Sequence, residues 1–189
     1  MRRRWGTRMF LDRCRLLRDH LDQPALTTDV IVGFPGETEA EFEQTLETCR
    51  TAGFSKVHVF PYSQRRGTPA AEMPQQVDKQ VQADRVRRLL DLERSLREQY
   101  FGSLMGRTLE LLVETCRPVA TMSPSACVET TTDYVVRGTS CRYAPLELTT
   151  NRPMAPGTLV PVSAVASDEE KIIARLTPGR DAISPDANP

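Results

Sequence analysis

The chain has 189 residues, 39% hydrophobic and 26% charged, with 25 Lys and Arg balanced by 25 Asp and Glu. That composition fits one or two folded domains and excludes a collagen-like, low-complexity or strongly charged chain. The net charge of zero gives no overall field toward nucleic acid or membrane, and no apolar run approaches the roughly 20 residues of a membrane-spanning helix.

Residues 1–20 are locally basic, with Arg2, Arg3, Arg4, Arg8, Arg13, Arg15 and Arg18 against Asp12 and Asp19. The spacing of Phe10, Cys14, Leu17 and Leu21 predicts an apolar stripe on a helix from about Thr7 to Leu21, stopped by Pro24. Ala25 to Val32 reads as a strand. Its Val30-Ile31-Val32 end suits a parallel strand covered on both faces. Thr38 and Glu41 form a capping-box pattern, so the next helix starts at Thr38, buries Phe42, Leu46 and Cys49, and ends at Gly53.

A second strand, "KVHVFPYS" (56–63), follows, with Val57, Val59 and Phe60 as its apolar residues. A loop punctuated by Gly67, Pro69 and Pro74 leads to a long helix from about Asp78 to Ser103, with Val81, Leu89, Leu92, Leu96 and Tyr100 on one side. After Gly106 the pattern changes to short β-rich pieces: "RTLELLVET", "ACVETTTDYVVRG", "APLELTT", "TLVPVSAVAS" and "EKIIARL". Five such strands predict a small barrel of the oligonucleotide-binding type over 104–177. The tail 178–189 lacks core-forming residues and is expected to be disordered.

Residues 1–103 therefore read as α/β with right-handed crossovers and parallel strands. Two strands cannot close a barrel or form a well-covered sheet, so the expectation is a partner chain or a natural protein that extends upstream. In a parallel layer the strand-to-helix loops share one rim, where ligands bind. Three segments qualify: 1–6, 33–38 and 61–68.

"VGFPGET" (32–38) suggests a phosphate loop, yet it has no Lys, its glycines are three apart, Pro35 lacks an N–H, and Glu37 would repel an anion. Two readings stay open: a structural turn with unusual dihedrals at Gly33 and Gly36, or a rim packed against a ligand. The cysteines Cys14, Cys49, Cys116, Cys127 and Cys141 include no C-x-x-C, which argues against a zinc knuckle or a chain-local iron–sulfur cluster and suggests small core residues. Their odd number and the absence of a secretory leader set the expectation of a reducing, cytoplasmic setting.

"TDVIVGFPGETEAEFEQT" followed by "HVFPYSQRRGTPAA" resembles the radical S-adenosylmethionine methylthiotransferases that modify tRNA. "MRRRW" resembles the segment that opens the preceding helix in that family, and the region after Gly106 resembles its terminal TRAM domain. The resemblance implies the C-terminal part of a partial parallel β/α barrel over 1–103, then an OB-like TRAM barrel over 104–177. It implies a transferase adding a methylthio group to C2 of a threonylcarbamoyl- or isopentenyl-adenosine beside the anticodon, with "HVFPYS" nearer the threonylcarbamoyl branch.

In that family a [4Fe–4S] cluster on C-x-x-x-C-x-x-C binds S-adenosylmethionine, which is cleaved to a 5′-deoxyadenosyl radical; a second cluster supplies sulfur. This chain has no such cysteine motif. The expectation is an isolated chain without metal ligands or catalytic residues of its own, unable to cleave S-adenosylmethionine, with an N-terminal portion of the enzyme elsewhere.

By resemblance, Gly33, Phe34, Pro35 and Gly36 line the S-adenosylmethionine pocket, Glu37 and Thr38 hold the turn, and Tyr62, Ser63, Arg65, Gly67 and Thr68 match Y-S-x-R-x-G-T. Arg65 is the foremost side chain for an anion. Asp29 suits a structural hydrogen bond or a cofactor contact; Arg66 reads as solvated, and His58, among apolar neighbours, as structural.

Arg2, Arg3 and Arg4 could meet tRNA phosphate, as could Arg107, Tyr134, Arg137, Arg142, Tyr143 and Arg152 in the barrel. Against this, residues 104–177 hold seven Lys and Arg and eight Asp and Glu. The alternatives are a non-catalytic RNA-binding fragment or another radical S-adenosylmethionine enzyme.

Overall fold

The computed structural model describes residues 6–119 and 132–177. Arg2, Arg3, Arg4, Trp5, residues 126–131 of the predicted second barrel strand and the tail from 178 lie outside the described residues. The chain divides between Tyr100 and Phe101 into two compact units. No helix among the described residues is long and apolar enough to cross a membrane.

The first unit alternates helix and strand: α1 (Thr7–His20), β1 (Thr27–Val32), α2 (Glu39–Ala52), β2 (Lys56–Pro61), a one-turn α3 (Pro69–Glu72) and α4 (Lys79–Leu104). β1 and β2 pair in parallel, in register from Thr27 opposite Lys56 to Val32 opposite Pro61. Such a pair needs a crossover, which α2 supplies.

The capping box forms. Thr38 Oγ1 accepts the Glu41 N–H at 3.3 Å, and the Glu41 carboxylate accepts the Thr38 N–H at 2.8 Å. At the far end Gly53 takes a left-handed φ of 60° and donates its N–H to the Cys49 and Arg50 carbonyls. The i, i+4, i+7 spacing of Phe42, Leu46 and Cys49 puts all three in one buried cluster with Val32, Val57, Leu89 and Leu96. Each large side chain so buried contributes about 1.5–3 kcal/mol before entropy is counted.

Four expectations need correction. Of the predicted α1 stripe, Phe10 and Cys14 reach the cluster, while Leu17 and Leu21 are 44% and 51% exposed. Val81 is exposed as well, because the first turn of α4 runs short of the cluster. The β1–β2 pair is not covered on both faces: Ile31 is 41% and Phe60 49% exposed. Successive side chains on a strand alternate, and the described helices cover only the face carrying Val30, Val32, Val57 and Val59. His58 is therefore exposed rather than enclosed by its apolar neighbours.

The second unit contains a closed five-stranded barrel: β3 (Thr108–Val119), β4 (Asp133–Ser140), β5 (Pro145–Thr150), β6 (Leu159–Ser167) and β7 (Ile172–Leu176), in the order β3-β4-β5-β7-β6. β5 and β7 pair in parallel and the other neighbours antiparallel. Bulges between Val113 and Thr115 and between Ala164 and Ala166 bend the two strands that close the ring. Period-two alternation points Leu109, Leu111, Val113, Val136, Leu148 and Val162 inward.

Gly138 sits where β4 approaches β3. A Cβ there would lie 1.8 Å from the Leu112 carbonyl oxygen. Gly138→Ala is expected to destabilise the barrel by about 1–3 kcal/mol or more, as overpacking against backbone does. Urea denaturation followed by far-UV circular dichroism reads this, and an unchanged midpoint would contradict the register of β3 and β4.

Candidate functional site

The turn between β1 and α2 is built by its own polar groups and by residues from far along the chain. Gly33 and Gly36 adopt φ of 72° and 84°, a region that β-carbon-bearing residues avoid. The Gly33 N–H donates to Glu37 Oε2 at 2.6 Å, and Glu37 donates its own N–H to the Phe34 carbonyl at 2.9 Å. Gly36 donates to the Gln75 carbonyl at 2.9 Å. Pro35 is buried and Thr38 exposed.

Glu37 thus has a different use from the repulsion of an anion: its carboxylate turns inward. Arg85 of α4, 4% exposed, donates to Glu37 Oε2 at 2.8 Å, to the Glu37 carbonyl at 3.1 Å and to Glu39. Gln82, one turn earlier, donates its amide to the Gly33 carbonyl at 3.1 Å and fills the space where a Gly33 Cβ would lie. Arg85 and Arg88 both lie over the Phe42 ring, at 5.4 and 4.8 Å. The Arg88 hydrogen bond, aided by Arg85, holds the Glu39 carboxyl below its ordinary range.

Sequence reasoning missed Gln82 and Arg85. They are 49 and 48 residues from their partners, and no local pattern marks a surface-type residue for burial. An Arg inside a helix next to buried Leu89 positions is the one available signal.

The loop after β2 meets this turn. Tyr62 donates its N–H to the Val32 carbonyl at 2.8 Å, extending the parallel ladder past Pro61. Its ring packs edge-on against Phe34, with centroids 5.3 Å apart. The Tyr62 hydroxyl is buried and has no hydrogen-bond partner among the described residues. Buried hydroxyls are normally satisfied, so this oxygen suits a group that would complete it.

Farther on, Ser63 and Arg65 are exposed, and Gly67 takes a φ of 80°. Thr68 folds back to donate its N–H and hydroxyl to the Arg65 carbonyl. The structure brings Phe34 and Tyr62 together; Arg65 and Arg66 stand in solvent. A fit to a cofactor therefore rests on Gly33, Phe34, Gly36 and Tyr62.

A separate cleft of ≈ 360 Å³ opens along β1, lined by Thr7, Phe10, Asp29, Ile31, Gln44 and Thr48 among others, with none of the 33–38 or 62–68 residues. Cys14 and Cys49 are buried; burial pushes the Cys49 thiol up to about 11 and raises that of Cys14. Among the described residues no three His, Cys, Asp or Glu side chains cluster as metal ligands. The described cysteines do not fit an iron–sulfur cluster.

In the barrel, strand alternation separates the candidate RNA residues. Tyr134 falls on the inward series with buried Val136, while Arg137 points outward. Arg137 donates to Glu147 at 2.6 Å, and Lys171 reaches the same carboxylate at 2.8 Å. Lys171 first, then Arg137, holds the Glu147 carboxyl below its ordinary value of 4.5. Arg107 and Arg142 are half-buried; Arg152 and Tyr143 are exposed, Tyr143 by 82% in the β4–β5 turn.

Removing one member of a buried ion pair leaves the other charge uncompensated. Arg85→Met is expected to cost about 3–5 kcal/mol. In a double-mutant cycle, adding Glu37→Gln should lose less than the two single losses combined, and strict additivity in denaturation midpoints would refute the coupling. Glu147 is ionised more readily in the folded state, so its contribution is complete above pH about 4.5 and is lost as pH falls through the depressed value. Glu147→Gln should flatten the fall in barrel stability below that pH, measured by thermal melts from pH 6 to 3.

No family profile matches the chain. Over 114 residues, 60% of its length, it is 46% identical to the threonylcarbamoyladenosine tRNA methylthiotransferase of Bacillus subtilis (strain 168), covering 25% of that protein. Over 113 residues it is 45% identical to the tRNA-2-methylthio-N(6)-dimethylallyladenosine synthase of Saccharopolyspora erythraea, covering 23% of it. The corresponding synthase of Mycobacteroides abscessus is 44% identical over 115 residues, with 23% of its length covered. The chain spans about a quarter of the length of the curated relatives it matches. By sequence, the matched 60% of the chain resembles the tRNA methylthiotransferases.

Proposed function

We propose that this chain is the C-terminal part of a radical S-adenosylmethionine tRNA methylthiotransferase, comprising the end of a partial β/α barrel (1–103) and an OB-like TRAM barrel (104–177). The observation that carries this reading is the meeting of Phe34 and Tyr62 at the carboxyl ends of the parallel pair, where the buried Tyr62 hydroxyl has no partner among the described residues. Ligands of open α/β sheets bind at that rim. The motif resemblance to radical S-adenosylmethionine methylthiotransferases suggests the class of ligand, and the similarity to relatives named as tRNA methylthiotransferases supports that resemblance.

In this reading Gly33, Phe34, Pro35 and Gly36 wall the S-adenosylmethionine site, with Gly33 leaving room for Gln82 behind the turn. Glu37 and Thr38 hold the turn in shape, and the Tyr62 hydroxyl hydrogen-bonds the cofactor. Ser63, Arg65, Gly67 and Thr68 form the outer wall, where the exposed Arg65 offers a guanidinium to a carboxylate. Bound S-adenosylmethionine supplies the radical and methyl chemistry in this enzyme class. The cluster ligands would come from another part of the enzyme, so the isolated chain binds the cofactor without cleaving it.

The barrel contributes tRNA contacts through Arg107, Arg137 and Arg142, with the exposed Tyr143 as its stacking residue in place of Tyr134, which lies on the inward series, and with Arg3 and Arg4 as further candidates on the first unit. Outward residues of such barrels meet backbone phosphate, and aromatic residues stack on bases.

Titration of the chain with S-adenosylmethionine, followed by backbone amide NMR, tests the reading. Shifts should centre on residues 33–38 and on Tyr62, and Tyr62→Phe should weaken binding about fivefold to tenfold, the value of one hydrogen bond. Shifts elsewhere, or none, would overturn it. Reconstitution with iron and sulfide should leave no [4Fe–4S] EPR signal on reduction; a clear signal would show that the chain holds a cluster by itself.

A further inference from the structure

The uncovered face of the β1–β2 pair has a chemical pattern that the cofactor reading does not use. The parallel register sets three rows across it: Thr27 with Lys56, Asp29 with His58, and Ile31 with Phe60. All six side chains are exposed. Residues paired in a row lie about 4.8 Å apart, and successive rows about 6.6 Å. The apolar Ile31–Phe60 row is nearest the rim where Phe34 and Tyr62 meet. The polar Asp29–His58 row comes next, and Lys56 lies beyond it.

Among the described residues, Asp29, Lys56 and His58 make no side-chain hydrogen bond or ion pair. The face thus offers a flat apolar platform beside the cofactor rim, then one acceptor and two donors, none of them engaged.

We infer that this face reads the N6 substituent of the modified adenosine and selects one that carries a carboxylate over one made only of hydrocarbon. The inference rests on the proposed methylthiotransferase function and goes beyond it by naming the residues that choose the substrate. The two kinds of relative act, by their names, on threonylcarbamoyladenosine and on dimethylallyladenosine, and identities of 46% and 45% do not separate them. The chemistry of the face does.

A threonylcarbamoyl group carries a carboxylate, a hydroxyl and urea N–H groups. With the base stacked on Phe60 and Ile31, a substituent reaching one row inward places its carboxylate at His58, whose ring donates in either charge state, and toward Lys56. Asp29 then accepts from the urea N–H or the hydroxyl. A dimethylallyl group in the same place would cover these three groups without pairing them, and unpaired polar groups are the strongest basis for rejecting a ligand.

The test uses the 189-residue chain, free nucleosides and side-chain NMR of His58, Lys56 and Asp29 in the presence of S-adenosylmethionine. Threonylcarbamoyladenosine should perturb these three residues and Phe60, and bind at least about tenfold more tightly than dimethylallyladenosine, as partly exposed charge-assisted contacts permit. His58→Phe combined with Lys56→Met should reduce that preference to less than about twofold, while His58→Gln, which keeps a donor, should retain most of it. These positions are exposed, so the amide spectrum should keep its dispersion.

Equal affinities, a preference for dimethylallyladenosine, or a preference that survives the double variant would overturn the assignment. Failure of both nucleosides to bind while S-adenosylmethionine still shifts residues 33–38 would overturn the role of the face alone. Failure of all three ligands would overturn the reading beneath it.

Discussion

The buried guanidinium of Arg85 is the interaction on which the turn between β1 and α2 depends. It reaches from α4 to the carboxylate and the carbonyl of Glu37, and that carboxylate holds the Gly33 N–H. One charge therefore fixes a strand end, a helix start and the turn between them. Taking an arginine out of water is costly, and here the cost is offset by three acceptors and by the face of Phe42. With the turn held from behind, its outer side keeps Phe34 against Tyr62 without help from a ligand. A turn so preorganised would spend little free energy on ordering if a ligand bound there.

The same layer is asymmetric. Helices cover one face of the two-stranded sheet, and the other carries Lys56, Asp29 and His58 behind Ile31 and Phe60. Exposing two large apolar side chains on a short parallel pair is unfavourable for an ordinary surface. Among the described residues nothing covers them, and in the proposed reading their position next to the rim gives that exposure a use in seating a flat base. In that reading the polar rows behind them are the part of the face that discriminates.

The second unit is organised differently. Its ring of strands closes through β3 and β6, so the sheet has no free edge, and the alternating side chains fill the interior. Its outward charge is already largely balanced: Glu147 takes both Arg137 and Lys171. A barrel with such pairs releases fewer counterions on meeting a phosphate backbone than its arginine count suggests. Any RNA contact would then depend more on shape and stacking, which the solvent-exposed Tyr143 offers, than on field strength.

The sequence by itself determined what local chemistry can encode. Thr38 and Glu41 mark a helix start three residues apart, Gly53 its end, and the spacing of Phe42, Leu46 and Cys49 its buried side. The alternating runs after Gly106 specify strands, and "VGFPGET" with "YSQRRGT" points to a family and a rim. Only the tertiary structure decided which groups hold that rim and which faces stay open. Arg85 and Gln82 are partners across nearly fifty residues, and burial of a charge at that range leaves no periodic trace. Ile31 and Phe60 read as core because β-branched and aromatic residues favour covered strands; their exposure depends on what packs against the sheet, which no property of the strand itself contains. His58 and Asp29 share a row for the same reason: parallel register is set by packing and crossover geometry, and it joins residues that the chain keeps 29 apart.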